Sequence, residues 1–310
     1  MKIVFFGCSD YAKPSLTALC ENGRKPALVV TKPDAPRGRG RKIYPQEIRL
    51  AAEELEVPFE QPEDVHDPEF VKKLEALDAD VGVVVSYGFK LREELRGIAR
   101  HGLINAHASL LPLYRGAAPI EPAIRDGHLE TGVSVMRIEE EIDTGAVMLQ
   151  KATAIGDRET SGELRQRLAE LSGAALVEAL DVLESGKAVF EPQDDSKSSH
   201  APKIEKADGV ISWDATAIEI DRLVRAMTPK PGAQTRLGAK RFIVIQGEVE
   251  EDLYGLGETG RVMSAGEEGI RVCTGKDLYR IIRIKPDNGR NMTAGEFVRG
   301  HPMPVDARFT

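Results

Sequence analysis

Lys2-Ile3-Val4-Phe5-Phe6-Gly7-Cys8-Ser9-Asp10 decides the fold. Four consecutive apolar residues read as a buried first strand, and Gly7 to Asp10 as a tight strand-to-helix turn. A dinucleotide fingerprint needs three spaced glycines where this turn has one, so neither NAD nor FAD is expected. Outward from that unit the first half alternates strand with helix. Strands are expected at residues 2–6, 27–31, 80–86 and 102–107, with helices at 10–21, 45–56, 68–77 and 92–96. Extended runs follow at 132–138 and 146–155. A long helix is expected over 161–183, with Leu164, Leu168, Leu171, Ala175, Leu176, Ala179 and Leu183 at three- and four-residue steps. This is the α/β pattern of a Rossmann-like, mostly parallel sheet with helices on both faces.

After Gly186 the character changes. Residues 191–207 are polar, hold two prolines and show no periodicity, as a linker would. Beyond them come one short helical pattern (216–227) and strand candidates at 241–245, 260–263, 270–273 and 279–284, separated by glycine-containing turns. Short strands so punctuated suggest a small OB-like β-barrel. The expected division is therefore a catalytic domain over 1–190, a linker over 191–207 and a barrel domain over 208–310.

Composition bounds the function. A chain of 310 residues that is 41% hydrophobic and 30% charged is an ordinary soluble globular protein. No apolar run approaches the ~18 residues of a membrane span, and the first strand is too short for a signal peptide. Three scattered cysteines, Cys8, Cys20 and Cys273, offer neither a disulfide framework nor metal-ligand spacing. A cytoplasmic protein without metal or membrane contact is expected, and nothing argues for assembly beyond a monomer. The net charge of −8 opposes nonspecific nucleic-acid binding. Residues 31–42, however, hold Lys32, Arg37, Arg39, Arg41 and Lys42 against Asp34 alone, and a local basic loop can bind a polyanion on an acidic body.

The chemistry concentrates in Ile104-Asn105-Ala106-His107-Ala108-Ser109-Leu110-Leu111-Pro112 and in the turn Glu141-Ile142-Asp143-Thr144-Gly145. Alternate residues of a strand share a face, so Asn105 and His107 can reach one pocket. An amide donor, an imidazole and a carboxylate suit acyl transfer to an amine. His107 and Asn105 can hold a developing oxyanion, and Asp143 can orient or discharge the histidine. The irregular segment 109–116 lies beyond the strand's carboxyl end, where open α/β sheets bind ligands. Ser86-Tyr87-Gly88-Phe89 can close a core strand by packing, or wall a pocket for a flat heterocycle.

These residues carry a resemblance. Asn105 to Pro112, Tyr114-Arg115-Gly116-Ala117-Ala118-Pro119-Ile120, Glu130-Thr131-Gly132-Val133 and Asp143-Thr144-Gly145 resemble the folate-dependent formyltransferase superfamily. Pro33-Asp34-Ala35-Pro36-Arg37-Gly38-Arg39-Gly40-Arg41-Lys42 narrows the likeness to the branch acting on initiator tRNA. So do Lys203-Ile204-Glu205-Lys206, Ile211-Ser212-Trp213 and Pro229-Lys230-Pro231-Gly232-Ala233. The resemblance implies Asn105, His107 and Asp143 as the catalytic three. Tyr87, Gly88, Phe89, Ser109, Leu110, Leu111 and Pro112 are implied to contact folate. Arg37, Arg39, Arg41 and Lys42 are implied to reach the acceptor stem, with Lys203 and Lys206 assisting. It also implies 10-formyltetrahydrofolate as formyl donor, and the methionine on initiator tRNA as acceptor.

The chain departs from the family pattern at Gly7-Cys8-Ser9-Asp10-Tyr11, at Ser86 (usually Ala), at Ile138 (usually Met) and at Lys230 (often Trp). None of these removes a catalytic group. On residues alone two rivals stay open: the same chemistry on a nucleotide-linked amino sugar, and a non-catalytic RNA-binding relative. Residues 208–310 balance fifteen basic with fifteen acidic groups, so charge alone does not name the second domain an RNA binder.

Overall fold

Seven strands form the sheet that carries the first of two units into which the chain divides. A computed structural model describes residues 1–37, 42–251, 257–304 and 307–310. The first unit comprises residues 1–119, 130–154 and 165–202; the second comprises 120–129, 155–164 and 203–310. The division thus falls after Pro202, inside the stretch expected as a linker, and two short excursions join the second unit.

In the first unit the strands are β1 (Ile3–Gly7), β2 (Leu28–Val30), the short hairpin β3 (Ala35–Arg37) and β4 (Lys42–Tyr44), then β5 (Phe59–Glu60), β6 (Val81–Val85), β7 (Leu103–His107), β8 (Glu130–Arg137) and β9 (Val147–Ala154). The main sheet runs β5-β2-β1-β6-β7-β8-β9. It is parallel from β5 to β7, while β8 and β9 are antiparallel. Helices α1 (Lys13–Glu21), α2 (Glu47–Glu54), α3 (Pro68–Glu75) and α4 (Glu93–Arg96) follow strands as the sequence predicts.

Every residue of β1 is buried, as a central parallel strand requires. Val4 and Phe6 face a core that includes Val71 and Leu74 of α3 and Leu95 of α4. Burying each large apolar side chain contributes about 1.5–3 kcal/mol. Helix α3 starts where Asp67 accepts the N–H groups of Glu69 and Phe70, with Pro68 at its first position. Packing also favours glycine at position 82 of β6, where a Cβ would lie 2.1 Å from Leu103 Cδ2.

The second unit begins with α5 (Ile120–Arg125), which packs on α7 (Ala217–Met227), and takes the amino end of α6 (Ser161–Glu184). Thr216 and Glu219 cap α7 reciprocally. Its strands are β10 (Ala233–Leu237), β11 (Lys240–Glu250), β12 (Val262–Gly266), β13 (Gly269–Cys273), β14 (Leu278–Pro286) and β15 (Met292–Thr293), followed by α8 (Ala294–Gly300). The antiparallel order is β10-β11-β14-β13-β12. The chain's last residues join its two edges: Phe309 bridges Leu237 at the end of β10, and Arg308 bridges Arg261 beside β12. That closure gives the small barrel expected from short strands. Strand β11 is twice the expected length because bulges at Gln246 and Gly247 let it bend without breaking its pairing with β14. Among the described residues no helix is long and apolar enough to cross a membrane.

Candidate active site

Strand β7 lies where the sheet changes from parallel to antiparallel pairing, with Asn105 opposite Val84 of β6 and His107 opposite Ser134 of β8. Asn105 and His107 are the two polar residues of this flanked strand. His107 is buried, and its Nε2 faces the Tyr114 carbonyl oxygen at 2.9 Å. A carbonyl only accepts, so Nε2 carries the proton. Nδ1 is left facing Asp143, whose Oδ2 lies 3.5 Å away. That same Oδ2 accepts the Gly116 N–H at 2.8 Å. Asn105 is half-buried, and among the described residues its carboxamide has no hydrogen-bond partner. An imidazole and a carboxylate therefore meet beyond the end of β7, and an unspent amide lies two residues back on the same face of that strand.

The backbone around them is strained. Ser86, Tyr114 and Asp143 have φ of 48°, 58° and 57°, a left-handed conformation uncommon outside glycine. Such residues persist only where surrounding contacts over-determine them, and they concentrate at functional sites. Here those contacts come from residues the sequence did not single out. Ser199 Oγ accepts the Tyr114 N–H, and residues 199–201 pair with Arg115. Ser134 accepts the Leu111 N–H at 3.0 Å and donates to the Ser109 carbonyl at 2.7 Å, while Gln150 donates to the Leu111 carbonyl. A serine inside the apolar run Val133-Ser134-Val135 is the signal that could have found this anchor, since a buried hydroxyl needs a partner.

Ser109 is fully buried and donates to the Leu113 carbonyl, and Leu111 is buried. Leu110 and Pro112 are half-buried. Of the aromatic turn, Tyr87 is buried edge-on against Phe6, and burial pushes its phenol well above the ordinary range. Phe89 is 47% exposed, with the Lys32 ammonium 4.1 Å from its ring centre, and Gly88 between them adopts φ 73°. Packing and a partly open aromatic surface thus coexist in this turn.

Residues 35–37 and 42–44, at the two ends of the segment read as a basic loop, pair as β3 and β4. Arg37 and Lys42 are their innermost pair; Arg39 and Arg41 lie outside the described residues. Asp34 anchors the start of the segment, accepting from Gln61, the Gln46 N–H and Arg49. The Gln61 amide first, then the Gln46 N–H and Arg49, hold its carboxyl below the usual range. Lys203 and Lys206 are exposed at the start of the second unit's main segment. Among the described residues no cluster of three or more His, Cys, Asp or Glu side chains could hold a metal ion.

Family profiles match both halves: one described as formyl transferase over residues 1–180, and one as formyl transferase, C-terminal domain, over 203–302. The methionyl-tRNA formyltransferase of Pelotomaculum thermopropionicum is 41% identical over 304 residues, covering 98% of this chain and 97% of the relative. That of Heliobacterium modesticaldum is 40% identical over 316 residues, covering 100% of both.

The chain belongs to the methionyl-tRNA formyltransferase family.

Two solved structures share the fold at lower identity. An N-formyltransferase from Helicobacter canadensis, in complex with folinic acid and dTDP-3-aminofucose, aligns with a TM-score of 0.67 at 18% identity. It covers 91% of this chain and 99% of its own. HypX from Aquifex aeolicus with tetrahydrofolic acid aligns at 0.63 and 20% identity, over 99% of this chain and 50% of its own. In this formyl transferase Asn105 is half-buried near the carboxyl end of β7, the side of such sheets on which ligands bind.

Proposed function

We propose that this protein transfers the formyl group of 10-formyltetrahydrofolate to the amino group of methionine on initiator tRNA. It acts as a cytoplasmic monomer. The observation that carries the reading is kinship from end to end, second unit included, with relatives named for that activity. An amino-sugar enzyme remains compatible with the fold, but the like structures of that kind are only 18% identical.

A reduced folate bearing a formyl group on nitrogen supplies the one-carbon unit. The residues fit it: Asn105 offers an unspent amide, and Phe89 with Leu110 offers partly open apolar surface. Asn105 donates a hydrogen bond to the formyl oxygen as that oxygen takes on charge. His107, anchored through Nε2 at the Tyr114 carbonyl, turns Nδ1 toward the same centre. The Nδ1–Asp143 spacing of 3.5 Å exceeds an ordinary hydrogen bond, leaving that nitrogen free to serve the substrate. Asp143, fixed by the Gly116 N–H, receives the proton shed by the attacking amine and relays it toward the departing folate nitrogen. Tyr87, Gly88, Phe89 and the segment Ser109, Leu110, Leu111 and Pro112 line the donor's place. Arg37, Arg39, Arg41 and Lys42 neutralise acceptor-stem phosphates, with Lys203 and Lys206 contributing from the second unit.

Incubation with 10-formyltetrahydrofolate and either methionyl-tRNA or an amino-sugar nucleotide tests the proposal. Formylation of the tRNA supports it; formylation of the sugar alone, or of neither, sinks it.

A further inference from the structure

We infer that Gln193 is a positioning residue for the Asp143 carboxylate. It sits in the polar stretch that looked like linker in sequence, yet that stretch up to Pro202 belongs to the first unit. The Gln193 Nε2 donates to two backbone carbonyls of the acidic turn, Asp143 O at 2.9 Å and Gly145 O at 2.8 Å. Its Oε1 accepts from Arg115 Nε at 2.9 Å. The Arg115 guanidinium is in turn held by Asp195 at 2.7 Å.

These hydrogen bonds matter because of what flanks Arg115. Tyr114 supplies the carbonyl that anchors His107, and Gly116 supplies the N–H that anchors Asp143. One side chain therefore ties the segment that orients the imidazole to the turn that carries the carboxylate. The turn needs such a tie. Residues 139–142 are exposed, with Ile142 exposed to 66%, so the core does not pin them. Asp143 itself holds φ 57°, a conformation its neighbours must enforce. Gln193 satisfies both carbonyls of that strained step with one amide, and removing the amide frees the turn to relax away from His107.

The inference rests on the formyl-transfer reading of Asn105, His107 and Asp143. It is tested in the full-length chain with Gln193→Met, which keeps length and removes all three hydrogen bonds. A second variant, Gln193→Glu, retains the acceptor for Arg115 but sets a carboxylate against two carbonyls. Displacement of a reacting group by an ångström costs on the order of 10²-fold, so kcat is expected to fall by about ten- to a hundred-fold in both. KM for the formyl donor and for methionyl-tRNA should stay within about two-fold, because the interaction removed serves the transition state. In nitrogen-15 spectra of the imidazoles without substrate, His107 should shift while the other histidines keep the parent pattern.

Parental kcat with an unshifted His107 signal in a folded variant overturns the inference. So does a loss confined to KM or to thermal stability. Should Gln193→Met not fold, the Glu variant carries the same comparison. His107→Ala separates the two claims: if it retains turnover, the site reading has failed. If it is crippled while the Gln193 variants match the parent, only the role of Gln193 has failed.

Discussion

The Asp143 carboxylate accepts the backbone N–H of Gly116, so the acid facing His107 is fixed by the same loop that holds the imidazole's far nitrogen. Histidine and aspartate are thus set by one short stretch, residues 114–116, instead of by direct contact. Asn105 stands apart from this arrangement, which separates the consequences of replacing each group.

His107→Ala should lower kcat by about 10²–10⁴, the usual contribution of a positioned proton-transfer group. It should also destabilise the protein by about 1–3 kcal/mol, since the buried Tyr114 carbonyl loses its donor. Asn105→Ala should lower kcat comparably with almost no change in unfolding free energy, because its amide has no partner among the described residues. Steady-state kinetics beside urea unfolding checks the contrast. Equal stability losses in the two variants would contradict it.

Arg39→Ala with Arg41→Ala should weaken binding of methionyl-tRNA and reduce the slope of log K against log salt by about 0.7–0.9 for each phosphate no longer neutralised. Folate affinity should be nearly unchanged. Filter binding across a salt series measures both; an unaltered slope would reduce the loop to solvated charge.

The Asp34 carboxyl is held below its ordinary range by the Gln61 amide, the Gln46 N–H and Arg49. A carboxyl depressed on folding adds stability that is complete above its unfolded value and disappears as pH falls through the folded one. Asp34→Asn should therefore be less stable than the parent at neutral pH and indistinguishable from it in strong acid. Melting temperatures of the pair from pH 7 downward read this out, and a gap that stays constant refutes it.

Gly132→Ala should cost about 1–3 kcal/mol through overpacking. Its Cβ would sit 2.2 Å from the Lys151 carbonyl and 2.6 Å from Leu110 Cδ2, pressing on the folate-side segment as well as on β9. Gly266→Ala, with open space around it, should stay within about 0.5 kcal/mol of the parent. Denaturant unfolding of the two variants gives the comparison.

Much of the fold was legible because periodicity reports burial directly. The run Ile3-Val4-Phe5-Phe6 is a fully buried strand, and the leucine spacing after Ser161 is a helix to Glu184. The elements that escaped notice have weak patterns. Strand β10, Ala-Gln-Thr-Arg-Leu, is half polar, and α5 contains a proline and only six residues. The hairpin of β3 and β4 lay within a stretch so basic that its charge concealed its pairing.

For the site, the one-strand spacing of Asn105 and His107 was readable, since alternation alone puts them on one face. By itself the sequence determined the strand that bears the amide and imidazole, the apolar framework beneath it, and the chemical types available. Tertiary structure decided how near Asp143 comes to His107, and which of Ser134, Gln150, Gln193 and Ser199 hold the loops between them. The physical reason is range: local pattern records the period of burial along a chain, whereas strained turns are held by hydrogen bonds from residues dozens of positions away.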